Sequence, residues 1–256
     1  MNETPMKKCI FCGSDRERAK EHIWPRWLQK KIGGSTKGQF KGIHLRMGVP
    51  ISERRSSGEK LVLGNVCKEC NNGWMERLES DFQPILDTIL SKPKRLILKG
   101  KELSNISKWA FKTACVINKA SNFHPIIPDN HLESFYISGF PPSNVVIEVS
   151  KLSDSVPEEL NWIQTKIGLV LNASKNKSNY YDYTQKSYVI ALQLKAFLIK
   201  IAYWPLGIGH FQRTAENKDR TKRIWPTCSK INYKKIKCFD GFSSFSASTI
   251  VKVDDD

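Results

Sequence analysis

The 256-residue chain lacks any stretch of about 18 uncharged apolar residues. Its longest apolar candidate, residues 188–204, is interrupted by Gln193, Lys195 and Lys200, which excludes a transmembrane helix there. The N-terminus has no apolar run before its first charges, so no secretory signal is expected and a cytoplasmic protein is. Internal repeats and low-complexity segments are also missing. With 40% hydrophobic residues the chain can build a real core, so disorder is not its main state.

Acidic residues are in short supply: 25 Asp and Glu stand against 41 Lys and Arg, a formal net charge of +16. The excess is spread along the chain and calls for a polyanionic partner. Charge alone allows nucleic acid or an anionic membrane surface; nucleic acid is the expected partner, with no membrane. The seven cysteines cannot all pair, and in a reducing compartment they serve better as metal ligands or small buried hydrophobes than as disulfides. Four of them form two Cys-x-x-Cys turns, Cys9-Ile-Phe-Cys12 and Cys67-Lys-Glu-Cys70. Two such turns supply the four thiolates that tetrahedral Zn²⁺ takes in a structural site. The 54 residues between the turns must fold into something of their own. Cys115, Cys228 and Cys238 are isolated and read as packing residues.

Periodicity gives the coarse organisation. Residues 33–55, rich in glycine, read as a loop, and residues 60–63 as a short strand. From Trp74 the apolar positions Leu78, Phe82, Ile85, Leu86 and Ile89 describe a helix with one buried face, which Pro84 is expected to bend or restart. A second helix carries Ile106, Trp109, Ala110, Thr113 and Ile117, with Ser104 as its expected N-cap. Residues 144–149 and 165–172 read as strands, and residues 187–203 as strand or as one buried helix. The segment around residues 91–95 is the expected boundary between a domain over 1–94 and an α+β domain over 95–256. The second domain is expected to bind substrate or a partner, a second copy of the chain included.

Between the cysteine turns lies Glu21-His22-Ile23-Trp24-Pro25-Arg26-Trp27-Leu28, and the second turn continues as Cys70-Asn71-Asn72-Gly73-Trp74-Met75-Glu76-Arg77-Leu78-Glu79. An acid-His-Ile-x-Pro motif followed by Cys-x-x-Cys-Asn resembles the HNH endonucleases. The resemblance covers about residues 7–80 and implies an α+β protein whose N-terminal part is a zinc-stabilised ββα-metal domain. It further implies metal-dependent hydrolysis of phosphodiester bonds, with DNA as substrate and a role in defence against foreign DNA. Carried over residue by residue, His22 is the general base, Glu21 a ligand of a catalytic Mg²⁺ or Mn²⁺, and Asn71 the second ligand, with Asn72 its nearest competitor. The position of the family's middle Asn falls near Val62, and the nearest Asn is Asn65.

The chemistry is consistent with those residue types. Hydrolysis needs a base for water, which neutral imidazole supplies near pH 7. Mg²⁺ keeps most of its waters, so one carboxylate and one amide oxygen can hold it beside a substrate phosphate. In an extended strand Glu21 and His22 point to opposite faces, so a bulge or twist is needed for them to converge. Arg26, Lys30, Lys31, Arg54 and Arg55 are candidate phosphate contacts. A second basic cluster, residues 218–237, reads as a further nucleic-acid surface or as a solvated face. Two other functions share these residues: a non-catalytic zinc-held nucleic-acid-binding module, and an RNA-cleaving nuclease.

Overall fold

The computed structural model describes residues 8–33, 39–46, 49–57, 61–120, 125–156, 159–167, 170–171, 186–205, 210–248 and 250–252. The chain runs through β1 (Arg18–His22), α1 (Arg26–Gly33), β2 (Gln39–Arg46), β3 (Val49–Ser57) and β4 (Val62–Cys67). A single turn, α2 (Lys68–Cys70), and a wider turn over Asn71–Met75 lead into α3 (Glu76–Leu90). Then come β5 (Ile97–Lys99), α4 (Gly100–Ala120), α5 (Asp129–Ser138), β6 (Val145–Lys151), β7 (Leu160–Thr165), β8 (Val170–Leu171), β9 (Tyr188–Leu194) and β10 (Phe197–Tyr203). The chain closes with β11 (His210–Gln212), β12 (Lys222–Trp225), β13 (Lys230–Asn232), α6 (Phe242–Ala247) and β14 (Ile250–Lys252).

This is a mixed α+β architecture around one large sheet, ordered β12-β6-β10-β9-β7-β2-β3. All its pairings are antiparallel except β2 with β7. Smaller sheets are β1-β4, β11-β14-β8 and β13-β5. The sheet does not follow the boundary expected near residue 94. β2 and β3 come from the first part of the chain, and β2 pairs with β7 from Lys41 opposite Asn161 to His44 opposite Gln164. One apolar core likewise takes Trp24, Leu28 and Phe82 together with Trp109, Ile147, Ile190 and Phe197.

α4 sits at the centre. From Trp109 to Asn118 every residue is buried, because α3, β4, β5, β10 and β12 all pack around it. A helix that is apolar on all sides is one that protein surrounds. Its start departs from expectation. The helix begins at Gly100, and Glu102 Oε2 accepts from the Lys99 amide at 2.8 Å, so Ser104 lies inside the helix instead of capping it.

Other expectations also change. The glycine-rich stretch expected as a loop contains the β2-β3 pair, which spans Gln39 opposite Ser57 to Arg46 opposite Val49. Gly42 is needed there because the Trp162 ring lies against its Cα, and a Cβ would stand 2.1 Å from Trp162 Cζ2. Residues 187–203 are two strands, β9 and β10, reversed at Lys195, whose φ is 56°. No Gly, Asn or Pro marks that turn. α3 runs through Pro84 without a break; the kink falls earlier, at Gly73 (φ −101°, ψ −106°). His44, within the stretch read as a loop, is buried in β2. His124 and the acidic end at residues 254–256 lie outside the described residues.

Candidate metal centre and the residues around it

The first cysteine turn is closed by backbone bonds from Gly13 N to Cys9 O (3.0 Å) and Cys9 N to Ser14 O (2.8 Å). Gly13 provides the left-handed exit at φ 68°. The second turn is the junction of β4 and α2, where the Cys67 sulfur accepts from Cys70 N at 3.4 Å. The turns are brought together by Ile10 N donating to Asn65 O (3.0 Å) and Cys67 N donating to Cys9 Sγ (3.4 Å). All four sulfurs then lie within 4.8 Å of one another, with Cys12 and Cys67 at 3.6 Å. Tetrahedral Zn–S bonds of about 2.3 Å require sulfurs about 3.8 Å apart. Cys9, Cys12, Cys67 and Cys70 can therefore hold a metal ion, and their closed thiolate set suits a structural zinc. The Cys70 side chain, hydrogen-bonded to Cys9, pulls the Cys9 thiol down to about 4 against the opposing effect of burial.

β1 and β4 hang from this centre. Glu21 pairs with Leu63 and His22 with Val62, after a register shift between Ala19 and Glu21. The irregularity precedes both residues, so they still alternate across the strand: Glu21 is buried and His22 half-buried. The position across from His22 is the apolar Val62. Asn65 Oδ1 is buried with no hydrogen-bond partner among the described residues.

Glu21 meets a residue that the motif did not indicate. Lys112 of α4 donates to Glu21 Oε1 at 3.1 Å and to Glu79 Oε1 of α3 at 2.8 Å, and it is itself fully buried. Burial pushes the Glu21 carboxyl above its ordinary value, Lys112 pulls it back and Glu79 pushes it further up. Burial likewise acts to lower Lys112, but the two carboxylates win and hold the ammonium above its ordinary range. A lone cation in the apolar run Trp109-Ala-Phe-Lys112-Thr-Ala-Cys-Val-Ile117 was the available signal, since a charge there must find a buried partner.

Asn71 opens the wide turn after the second cysteine pair, and its Nδ2 donates to Asn72 Oδ1 at 3.1 Å. No hydrogen bond joins it to Glu21. Among the described residues the four cysteines are the only group of three or more His, Cys, Asp or Glu side chains close enough to share an ion. Of the two oxygen donors expected for a divalent cation, the carboxylate is thus already ion-paired.

Of the basic candidates, Arg26 and Lys30 are exposed on α1, while Lys31 forms an ion pair with Asp87 of α3. Arg54 and Arg55 are exposed on β3, an edge strand, and Arg55 reaches Glu53 at 3.5 Å. Trp24 is buried against the Trp162 edge, and Trp74 packs on Phe11 and Phe135. Cys115 is fully buried, whereas Cys228 and Cys238 are partly accessible.

Fold and site together define a mixed α+β protein with four cysteines near its N-terminus that could hold a metal ion. Among the described residues no helix is long and apolar enough to cross a membrane. No family model, curated protein or solved structure matches the chain.

Proposed function

We propose that this protein is a metal-dependent HNH-type endonuclease that hydrolyses phosphodiester bonds in DNA, with a structural zinc at Cys9, Cys12, Cys67 and Cys70. The observation that carries the reading is chain order around the cysteines: Glu21-His22 lies on β1, β1 pairs antiparallel with β4, and β4 runs straight through the second cysteine turn into α3. Two paired strands followed by a helix, with α1, β2 and β3 inserted between the strands, support the ββα arrangement the motif implies. His22, half-buried on the strand face opposite Glu21, takes the proton from the attacking water. Asn71 and Glu21 would hold the divalent cation, Glu21 in exchange for its ion pair with Lys112, and Arg26, Lys30, Arg54 and Arg55 bind backbone phosphates without reading sequence. A divalent cation, when bound, would neutralise charge on the scissile phosphate and the leaving oxygen.

One observation favours a second reading. The Lys112 ammonium already satisfies Glu21, and a cation there would meet a positive neighbour. A zinc-held nucleic-acid-binding module without catalysis fits that pairing.

Cleavage of supercoiled plasmid in Mg²⁺ and in Mn²⁺ separates the two, with wild type compared to His22→Ala and bound zinc measured in both. Cleavage by wild type alone, at equal zinc content, supports the nuclease. Salt-dependent DNA binding by both proteins without cleavage supports the binding module. Cleavage of RNA but not plasmid transfers the same site to the other nucleic acid.

A further inference from the structure

A second buried charge cluster lies on the large sheet, far in sequence from the cysteines. Glu148 sits mid-way along β6, where the ladder places Lys200 of β10 directly on one side and Arg223 of β12 directly on the other. Neighbouring residues in adjacent strands share a sheet face, so the three side chains form one row. Arg213, just after β11, reaches into it. Its Nε donates to Glu148 Oε1 at 2.8 Å, and Lys200 Nζ lies 3.3 Å from Glu148 Oε2. Lys200 also donates to Ser248 Oγ at 2.7 Å.

The charges do not balance. Three cations share one carboxylate, whose two oxygens face Arg213 and Lys200. Arg223 Nε is buried and has no hydrogen-bond partner among the described residues. Of the other acids nearby in sequence, Asp219 pairs with Lys237 and Asp240 with Arg220, while Glu216 is exposed and forms no ion pair among the described residues. A guanidinium cannot shed its proton, and an unpaired buried charge is costly, so such a cluster needs a further anion. Burial lowers both Lys200 and Arg223 from their ordinary values despite the nearby carboxylate, as expected of under-compensated cations. Arg213 is about a quarter exposed and Arg223 is half-buried, so the arginine side of the row is reachable from solvent, while Lys200 is buried behind it.

We propose that Arg223, Arg213 and Lys200, arrayed around Glu148, form a binding site for a terminal phosphate group. The net positive charge of two on the cluster matches a phosphate monoester dianion, whereas an internal phosphodiester carries a single charge. Arg223 contributes a buried Nε–H with no partner among the described residues, a charged donor suited to a phosphate oxygen. Glu148 is the positioning residue that lines up the cations. The site goes beyond the nuclease reading and uses none of its residues.

Titration calorimetry at pH 8 with inorganic phosphate, at constant ionic strength held with chloride, tests it. Saturable binding is expected, weakened tenfold or more in Arg223→Gln and unchanged in Lys234→Gln, which alters an exposed lysine. Binding should also weaken on acidification through the second ionisation of phosphate, where the dianion becomes a monoanion. Thermal melting without phosphate gives a second readout. Because Arg223 Nε makes no hydrogen bond among the described residues, Arg223→Gln should melt no lower than wild type. A lower melting point together with unaltered phosphate binding would assign Arg223 to fold stability alone and overturn the proposal. Absence of saturable phosphate binding by wild type would overturn it equally. A short DNA strand with a 5′-phosphate, compared with its 5′-hydroxyl form and with a free nucleoside monophosphate, identifies whether the phosphate is carried by a polynucleotide end or by a small molecule.

Discussion

Lys112 and Glu21 are ninety-one positions apart in sequence, yet their charged atoms stand 3.1 Å apart in the core. The pair links α4 to β1, and Glu79 extends the link to α3. Three elements that flank the cysteine centre are therefore fixed to one ammonium. Lys112→Met removes the ammonium and leaves two carboxylates facing each other. A loss of about 3–5 kcal/mol of stability is expected, as for other buried pairs deprived of one partner. Replacing Glu21 and Glu79 by Gln in the same chain should recover much of that loss, which urea unfolding of the single and triple variants measures.

The β1-β4 sheet has two strands, too few to be stable in water by themselves, and the cysteine turns fix its open ends. Metal removal by a strong chelator, or Cys67→Ser, should abolish zinc binding and expose the amides of residues 18–22 and 62–67. The seven-stranded sheet should stay protected. Hydrogen exchange followed segment by segment checks this, and uniform loss of protection would refute it.

Gly42 and Trp162 meet across the parallel β2-β7 pairing, and a methyl group at residue 42 would overlap the indole. Trp162 is buried and also touches Trp24, so it has little room to retreat. Gly42→Ala should cost about 1–3 kcal/mol, the usual range for overpacking. A lower urea midpoint at an unchanged slope is the expected result.

His131 on α5 is buried against Tyr188, whose hydroxyl is 3.0 Å from Nδ1, and burial lowers its pKa from 6.5 to about 4. On acidification the unfolded chain takes up a proton at His131 near pH 6.5, whereas the folded chain takes it up only near pH 4. Stability from this residue is thus complete above pH 6.5, declines as pH falls, and levels off below about pH 4. The slope is at most about 1.4 kcal/mol per pH unit for one such group. Comparison of wild type with His131→Gln over that window should show the variant losing less stability.

Several features were legible because their cause is local. The Cys-x-x-Cys spacing already brings two sulfurs of each pair to one side of a turn, and the spacing of Phe82, Ile85, Leu86 and Ile89 already defines the buried face of α3. The mixed α+β class and the lack of a long apolar span follow from composition and pattern in the same way. Other features depend on partners distant in the chain. The reversal at Lys195 carries none of the residues that favour a left-handed turn, and β9 and β10 are buried on both faces, so their polar residues show no alternation. Gly42 reads as a loop residue until Trp162 is set against it.

By itself the sequence determined the four thiol ligands, the basic character and the helical face of α3, since composition and short-range spacing suffice for each. Only the tertiary structure decided that β2 and β3 join the large sheet, that Lys112 neutralises Glu21, and that Arg223 lies beside a Glu148 already paired with Arg213 and Lys200. Those outcomes come from strand register and core packing, where a buried charge takes whichever partner the fold brings within hydrogen-bond reach.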